Sequence, residues 1–138
     1  TNLLVEKGKN LEDVIQPSGV KNLTLLTCGS PSPNPTELLE SKRMKEVMEA
    51  FEKRFNLVVL DSPPISYVSD ALVLSPLVDS VLLVVEAGRL SRDTILKGRN
   101  QLEKARARIC GIALNKVKIE KGGYYYKNYY YRREEKAL

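Results

Sequence analysis

Two stretches of the sequence are aliphatic without interruption, Leu57-Val58-Val59-Leu60 and Val81-Leu82-Leu83-Val84-Val85. A strand with one wet face alternates apolar and polar residues. A continuous run instead fits a strand buried on both faces, as in a parallel sheet. Two further apolar runs, Leu23-Thr24-Leu25-Leu26-Thr27 and Ile109-Cys110-Gly111-Ile112-Ala113-Leu114, lie outside them. Between the runs the pattern changes to helical spacing. Asn34-Pro35-Thr36-Glu37 reads as a helix start: Asn34 suits the N-cap, Pro35 the first helical position, and Glu37 can reach back to the Asn34 N–H. Met44, Val47, Met48, Phe51 and Phe55 then form one apolar stripe, read as core packing. A second helix is predicted over Asp70–Leu77. A third opens at Ser91 as N-cap and turns Ile95, Leu102, Ala105 and Ile109 toward the sheet. A short helix over Leu11–Ile15, stopped by Pro17, precedes them all. Strands alternating with helices predict a parallel α/β sheet with right-handed crossovers.

Composition narrows the chemistry. The 138 residues fit one domain, and none is His. This excludes Ser-His-Asp and Cys-His nucleophile systems, an imidazole base, and His-ligated zinc or haem. Cys28 and Cys110 are too few for a zinc site and are read as small buried thiols of a reducing cytoplasm. The longest strongly apolar run, Val81–Val85, is far short of the ~18 residues of a membrane span. No signal-peptide pattern opens the chain, and its start on Thr1 within an apparent element reads as part of a longer protein.

The net charge of +5 is uneven. Residues 116–138 hold seven basic and three acidic side chains, a net +4, which leaves +1 for residues 1–115. Six of the nine aromatics are tyrosines between Tyr124 and Tyr131. The sequence therefore divides into a near-neutral body and a basic, tyrosine-dense tail, expected to be mobile from Gly122 onward.

In open parallel sheets ligands bind beyond the carboxyl ends of the strands. One predicted strand runs into Asp61-Ser62-Pro63-Pro64, the next into Glu86-Ala87-Gly88, and the last into Asn115-Lys116. An Asp after four buried aliphatics is costly without a task or a partner. Either Asp61 holds Mg²⁺ through water beside nucleotide phosphates, or it caps the following turn. Asn115 offers a donor and an acceptor to a flat heterocycle edge, or is a turn residue. A G-x-x-x-x-G-K-[ST] phosphate loop is missing: around Gly8-Lys9-Asn10 both the first glycine and the final hydroxyl are lacking. For the tail three uses stand open. It can stack on bases and contact phosphates of a nucleic acid. It can act as a solubilising end. Or it can act as a charge switch, in which six phosphates at about −1.5 to −2 each would carry +4 to roughly −5 to −8.

Taken in order, Cys28-Gly29 with Pro31-Ser32-Pro33-Asn34-Pro35-Thr36-Glu37-Leu38-Leu39, then Val58-Val59-Leu60-Asp61-Ser62-Pro63-Pro64 with Ser69-Asp70-Ala71, then Leu114-Asn115-Lys116-Val117 and the tyrosine cluster resemble the bacterial tyrosine autokinases (BY-kinases) of capsular and exopolysaccharide synthesis. The resemblance implies a partial doubly wound parallel sheet of the deviant P-loop NTPase type over residues 1–117, followed by a flexible tail over 118–138. It implies that Asp61 is a Walker B-type aspartate positioning Mg²⁺ and that Asn115 contacts the adenine of ATP. Asp70 matches the family's Asp-Ala pair, with a helix cap as its other reading. Tyr124, Tyr125, Tyr126, Tyr129, Tyr130 and Tyr131 match the autophosphorylated cluster. The implied partners are other copies in a ring, a transmembrane activator or polysaccharide co-polymerase, and a tyrosine phosphatase, at the cytoplasmic face of the cell membrane. The family's P-loop lies upstream of the matched segment, so the chain alone is expected to bind ATP poorly and to lack kinase activity. Three other readings remain: a partition-type ATPase, a phospho-acceptor or interaction module without activity, and a nucleic-acid-binding module. The body's net +1 argues against the last.

Overall fold

A computed structural model describes residues 1–6 and 8–118. The chain opens with a helical turn, α1 (Asn2–Val5), and a 3₁₀ turn over Leu11–Asp13. Two-residue strands β1 (Gln16–Pro17) and β2 (Thr24–Leu25) follow. Next come α2 (Pro35–Glu40) and α3 (Lys42–Arg54), then α4 (Asp70–Leu74) continued by a 3₁₀ turn at Ser75–Leu77. The chain then forms β3 (Val81–Glu86), α5 (Arg92–Lys104) and β4 (Ile109–Asn115).

The parallel pairing expected from the aliphatic runs is present between β3 and β4, with α5 as the connection. Ser91 caps α5 as expected, its Oγ accepting the Thr94 N–H at 3.2 Å. The helix closes on a left-handed Arg106 (φ 62°). The Arg106 and Ala107 N–H groups return to the Glu103 and Leu102 carbonyls, a Schellman-type end usually built on Gly. Ile109 is thus the first residue of β4, not a member of the α5 face.

The predicted helix after Asn34 is two helices. Ser41 separates them in an extended conformation (ψ 155°). Its N–H closes α2 on the Leu38 carbonyl, while its Oγ accepts the Met44 N–H at 3.1 Å and so starts α3. The expected Glu37 contact with the Asn34 N–H does not form. That N–H donates to Ser32 Oγ, and the Asn34 side-chain amide donates to Glu37 Oε2 instead.

The core centres on α3. Met44, Val47, Met48 and Phe51 are buried with Leu3, and Phe55, Val58, Leu60, Leu74 and Leu77 pack around them. The stripe was therefore read correctly, with Phe55 at its half-buried end. On β3 and α5, Val85 and Leu102 are buried.

Two strand expectations fail. The Leu23–Thr27 run contributes only β2, antiparallel to β1, because Pro17 lacks an N–H to extend the ladder. Residues 57–60 form no regular element and pair with no described strand. Val58 and Leu60 turn toward the α3 cluster, leaving Leu57 80% and Val59 79% exposed. A strand gains its stability from a neighbour's backbone groups, and no described neighbour supplies them. Both cysteines are exposed free thiols, contrary to the expectation of burial. Cys110 lies on β4 and Cys28 beside the N-terminal helical turn, and no described element covers either.

Candidate functional site

The ends of β3 and β4 lie side by side, with Glu86 paired to Asn115 in the register. The Asn115 carbonyl accepts the Ala87 N–H at 2.9 Å, so the ladder continues one residue past β3. Lys116 then turns left-handed (φ 55°). That turn lets its N–H donate to the Asn115 side-chain Oδ1 at 2.8 Å. The Asn115 Oδ1 therefore accepts within the turn, and its NH₂ has no hydrogen-bond partner among the described residues.

Charge gathers at the same end. The Glu86 carboxylate meets Arg89 Nη1 at 2.8 Å through one oxygen and Lys116 Nζ at 3.1 Å through the other. The hydrogen bond from Arg89 is the larger cause, and that from Lys116 the next, holding the Glu86 carboxyl below its usual range. The same contact raises Arg89 above its ordinary value. The strand end thus combines a locked carboxylate, two cations and an oriented amide. Arg89 and the Glu86–Lys116 bridge were not singled out from the sequence. Arg89 lies three positions from Glu86, whereas Lys116 lies 30 away and is brought to it by the parallel register.

Asp61 stands exposed just past the unpaired 57–60 segment. The loop after it is held at Ile65, which approaches α5 so closely that a Cβ at Gly98 would lie 2.8 Å from its Cδ1. Asp70 is the first residue of α4, following Ser69. There it sits in the first turn, where a carboxylate is favoured by the helix dipole. Two clefts of about 580 and 360 Å³ lie beside α1 and α3, and neither is lined by Asp61, Asp70 or Asn115. The larger is bordered by Arg43, Lys53 and Arg54, but Arg54 is engaged by Glu12 and Arg43 by Glu46 and the Lys9 carbonyl. Among the described residues no three Asp, Glu, Cys or His side chains gather as a metal site. The tyrosines Tyr124–Tyr131 lie outside the described residues.

No family model matches the chain. Tyrosine-protein kinase CpsD of Streptococcus agalactiae is 35% identical over 108 residues, which cover 78% of this chain and 47% of CpsD. The crystal structure of the VpsO kinase domain matches at a TM-score of 0.78 and 33% identity, over 85% of this chain and 57% of that one. The crystal structure of the chimerical protein CapA2B2 matches at a TM-score of 0.80 and 29% identity, over 86% and 52%. The chain spans about half the length of the curated relatives it matches. Sequence identity and fold agree on one assignment: the chain belongs to the bacterial tyrosine-protein kinases and shares the α/β fold of their kinase domains.

Proposed function

We propose that this chain is the C-terminal part of a protein-tyrosine autokinase domain, residues 1–117, with a phospho-acceptor tail at 118–138. In the complete domain ATP donates its γ-phosphoryl group to tail tyrosines, and the phosphorylation state regulates capsular or exopolysaccharide synthesis and export. The observation that carries this reading is the 35% identity to a tyrosine-protein kinase over 78% of the chain.

Within that domain Asp61 would bind Mg²⁺ through water, and the Asn115 NH₂ would face the adenine edge. Asn115 fits such a task because its Oδ1 is already tied to the Lys116 N–H. Mg-ATP as a whole does not fit this chain alone. Asp61 is a single exposed carboxylate, no described carboxylate cluster joins it, and the 138 residues contain no phosphate-binding loop. Phosphoryl transfer depends on positioned phosphates and metal, so the chain by itself is a substrate and not a catalyst. Its partners in this reading are other copies in a ring, a transmembrane activator and a tyrosine phosphatase, at the cytoplasmic face of the membrane. No described helix is long and apolar enough to cross a membrane.

Incubation with Mg-ATP alone is expected to yield no phosphotyrosine. Incubation with complete, active CpsD is expected to label Tyr124–Tyr131, mapped by mass spectrometry. Tyr67 is an internal control, since it is 81% exposed and so available to an unselective kinase. Appreciable self-phosphorylation, or labelling confined to Tyr67, refutes the proposal.

A further inference from the structure

Charge is segregated within the near-neutral body. Residues 1–88 hold eight basic and twelve acidic side chains, a net −4. Residues 89–108, which are α5 and the turns on either side of it, hold seven basic and two acidic, a net +5. Packing turns this charge outward. Gly98 and Leu102 are buried and Ile95 is half-buried, so they form the inner face of α5. Arg92, Lys97, Arg99 and Lys104 are exposed around the rest of the helix, and Arg106 and Arg108 are exposed just after it. Arg99 pairs with Glu103 and Arg89 with Glu86. Arg92, Lys97, Lys104, Arg106 and Arg108 form no ion pair among the described residues. Such a concentration of uncompensated cations attracts a polyanion.

We infer that the exposed face of α5 is the docking face for the tail of the same chain once its tyrosines are phosphorylated. The inference rests on the proposed phospho-acceptor role of the tail and adds where the phosphorylated product goes. Without phosphate the tail carries +4 and is repelled by the +5 of residues 89–108; with six phosphates it carries roughly −5 to −8 and is attracted. The geometry favours the chain's own tail over that of a second copy. β4 ends at Asn115 beside Glu86, and α5 starts at Arg92, six residues after Glu86. The tail therefore leaves the sheet at the end where α5 begins. From Lys118, the last described residue, Tyr124 is six residues on and Tyr131 thirteen, a reach of about 20 to 45 Å for extended chain. The 13 residues of α5 span about 20 Å, so the cluster can reach the whole face. So short a tether also holds it there at a high effective concentration. The Arg92 and Arg108 guanidinium groups can each donate two parallel N–H bonds to a phosphate, while Lys97 and Lys104 act as point charges.

The test compares the full chain with a semisynthetic copy that carries phosphate on all six tail tyrosines, so that it depends on no kinase. Both are treated briefly with an amine-acetylating reagent, and the rate at each lysine is read by mass spectrometry. Lys97 and Lys104 are expected to react at least about fivefold more slowly in the phosphorylated chain, the protection given by a tail docked four-fifths of the time. Lys42 and Lys45, exposed on α3, are expected to keep their rates. The protection is expected to be independent of protein concentration and to vanish in 1 M salt. Arg92→Gln with Arg108→Gln is expected to reduce it below about twofold with the melting temperature unchanged. Equal rates at Lys97 and Lys104 in the two chains overturn the inference. So does protection that appears only as protein concentration rises, which makes a second copy's tail the occupant. Protection of these lysines by phosphatidylserine vesicles, with none from the phosphorylated tail, also overturns it and gives the face to a membrane. If complete, active CpsD leaves the tail unlabelled while the semisynthetic chain shows protection, the docking face stands and the kinase reading falls. A labelled tail without protection does the reverse.

Discussion

Phe51→Ala tests where the stability of this chain resides. Phe51 is buried on α3 in the cluster with Leu3 against which Val58 and Leu60 pack, and its ring lies 6.3 Å from that of Phe55 at 47°. Removing a buried phenyl ring costs about 3–5 kcal/mol in lost transfer energy and residual cavity. The tilted aromatic pair accounts for roughly 0.5–1.5 kcal/mol within that loss. A domain of this size holds only about 5–15 kcal/mol in total. The substitution should therefore remove a large share of it and lower the melting temperature by on the order of 10–20 °C. Leu82→Ser is the matched control, since Leu82 is more than half exposed on β3 and its truncation should cost within about 0.5 kcal/mol. Urea unfolding followed by circular dichroism at 222 nm measures both. If Phe51→Ala costs less than about 1 kcal/mol, or Leu82→Ser costs more than Phe51→Ala, the core does not lie around α3 and the reasoning fails.

Glu86 has a lowered carboxyl pKa, so its bridges to Arg89 and Lys116 stabilise the strand end above the ordinary carboxylate value of 4.5 and are lost as pH falls below it. Wild type and Glu86→Gln should differ in melting temperature at pH 7 and converge toward pH 3, and the pH 7 difference should shrink in 1 M salt. A difference that persists at pH 3 excludes the ionic account. Ser91→Ala removes the cap on Thr94 and should cost about 0.5–2 kcal/mol by urea unfolding, with Ser91→Asp retaining most of it. Arg106→Gly should stabilise by about 0.5–1 kcal/mol, since Gly adopts the left-handed end of α5 without strain. Both cysteines should react with a thiol reagent in the native chain at the rate seen in urea; a thiol released only on unfolding contradicts their exposure.

Local chemistry was readable wherever it acts over a few residues. Ser91 caps α5 because its hydroxyl needs only the amide three positions on. The α3 stripe is a helical period, so Met44, Val47, Met48 and Phe51 fell on one face in the sequence as they do in the fold. Ser41 was missed because its one side chain both ends α2 and starts α3, a junction that looks like unbroken helix by period alone. The Asn34–Glu37 pair was found, but its donor was not, since an amide side chain can replace the backbone N–H as the partner of the carboxylate.

The sequence by itself determined that β3 and β4 are parallel strands joined by a helix, that the chain lacks a phosphate-binding loop, and that the charge and the tyrosines concentrate after residue 115. Each follows from residue order: aliphatic continuity, a motif's spacing, or a count. Only the tertiary structure decided that Glu86, Arg89 and Lys116 meet at one strand end, and that Asn115 commits its acceptor to the Lys116 turn. It alone decided that Leu57–Leu60, aliphatic enough for a core strand, pairs with no described strand. An aliphatic run states what a segment would bury if covered. Whether it is covered depends on which backbone and side chains arrive beside it, and that is a property of the assembled fold.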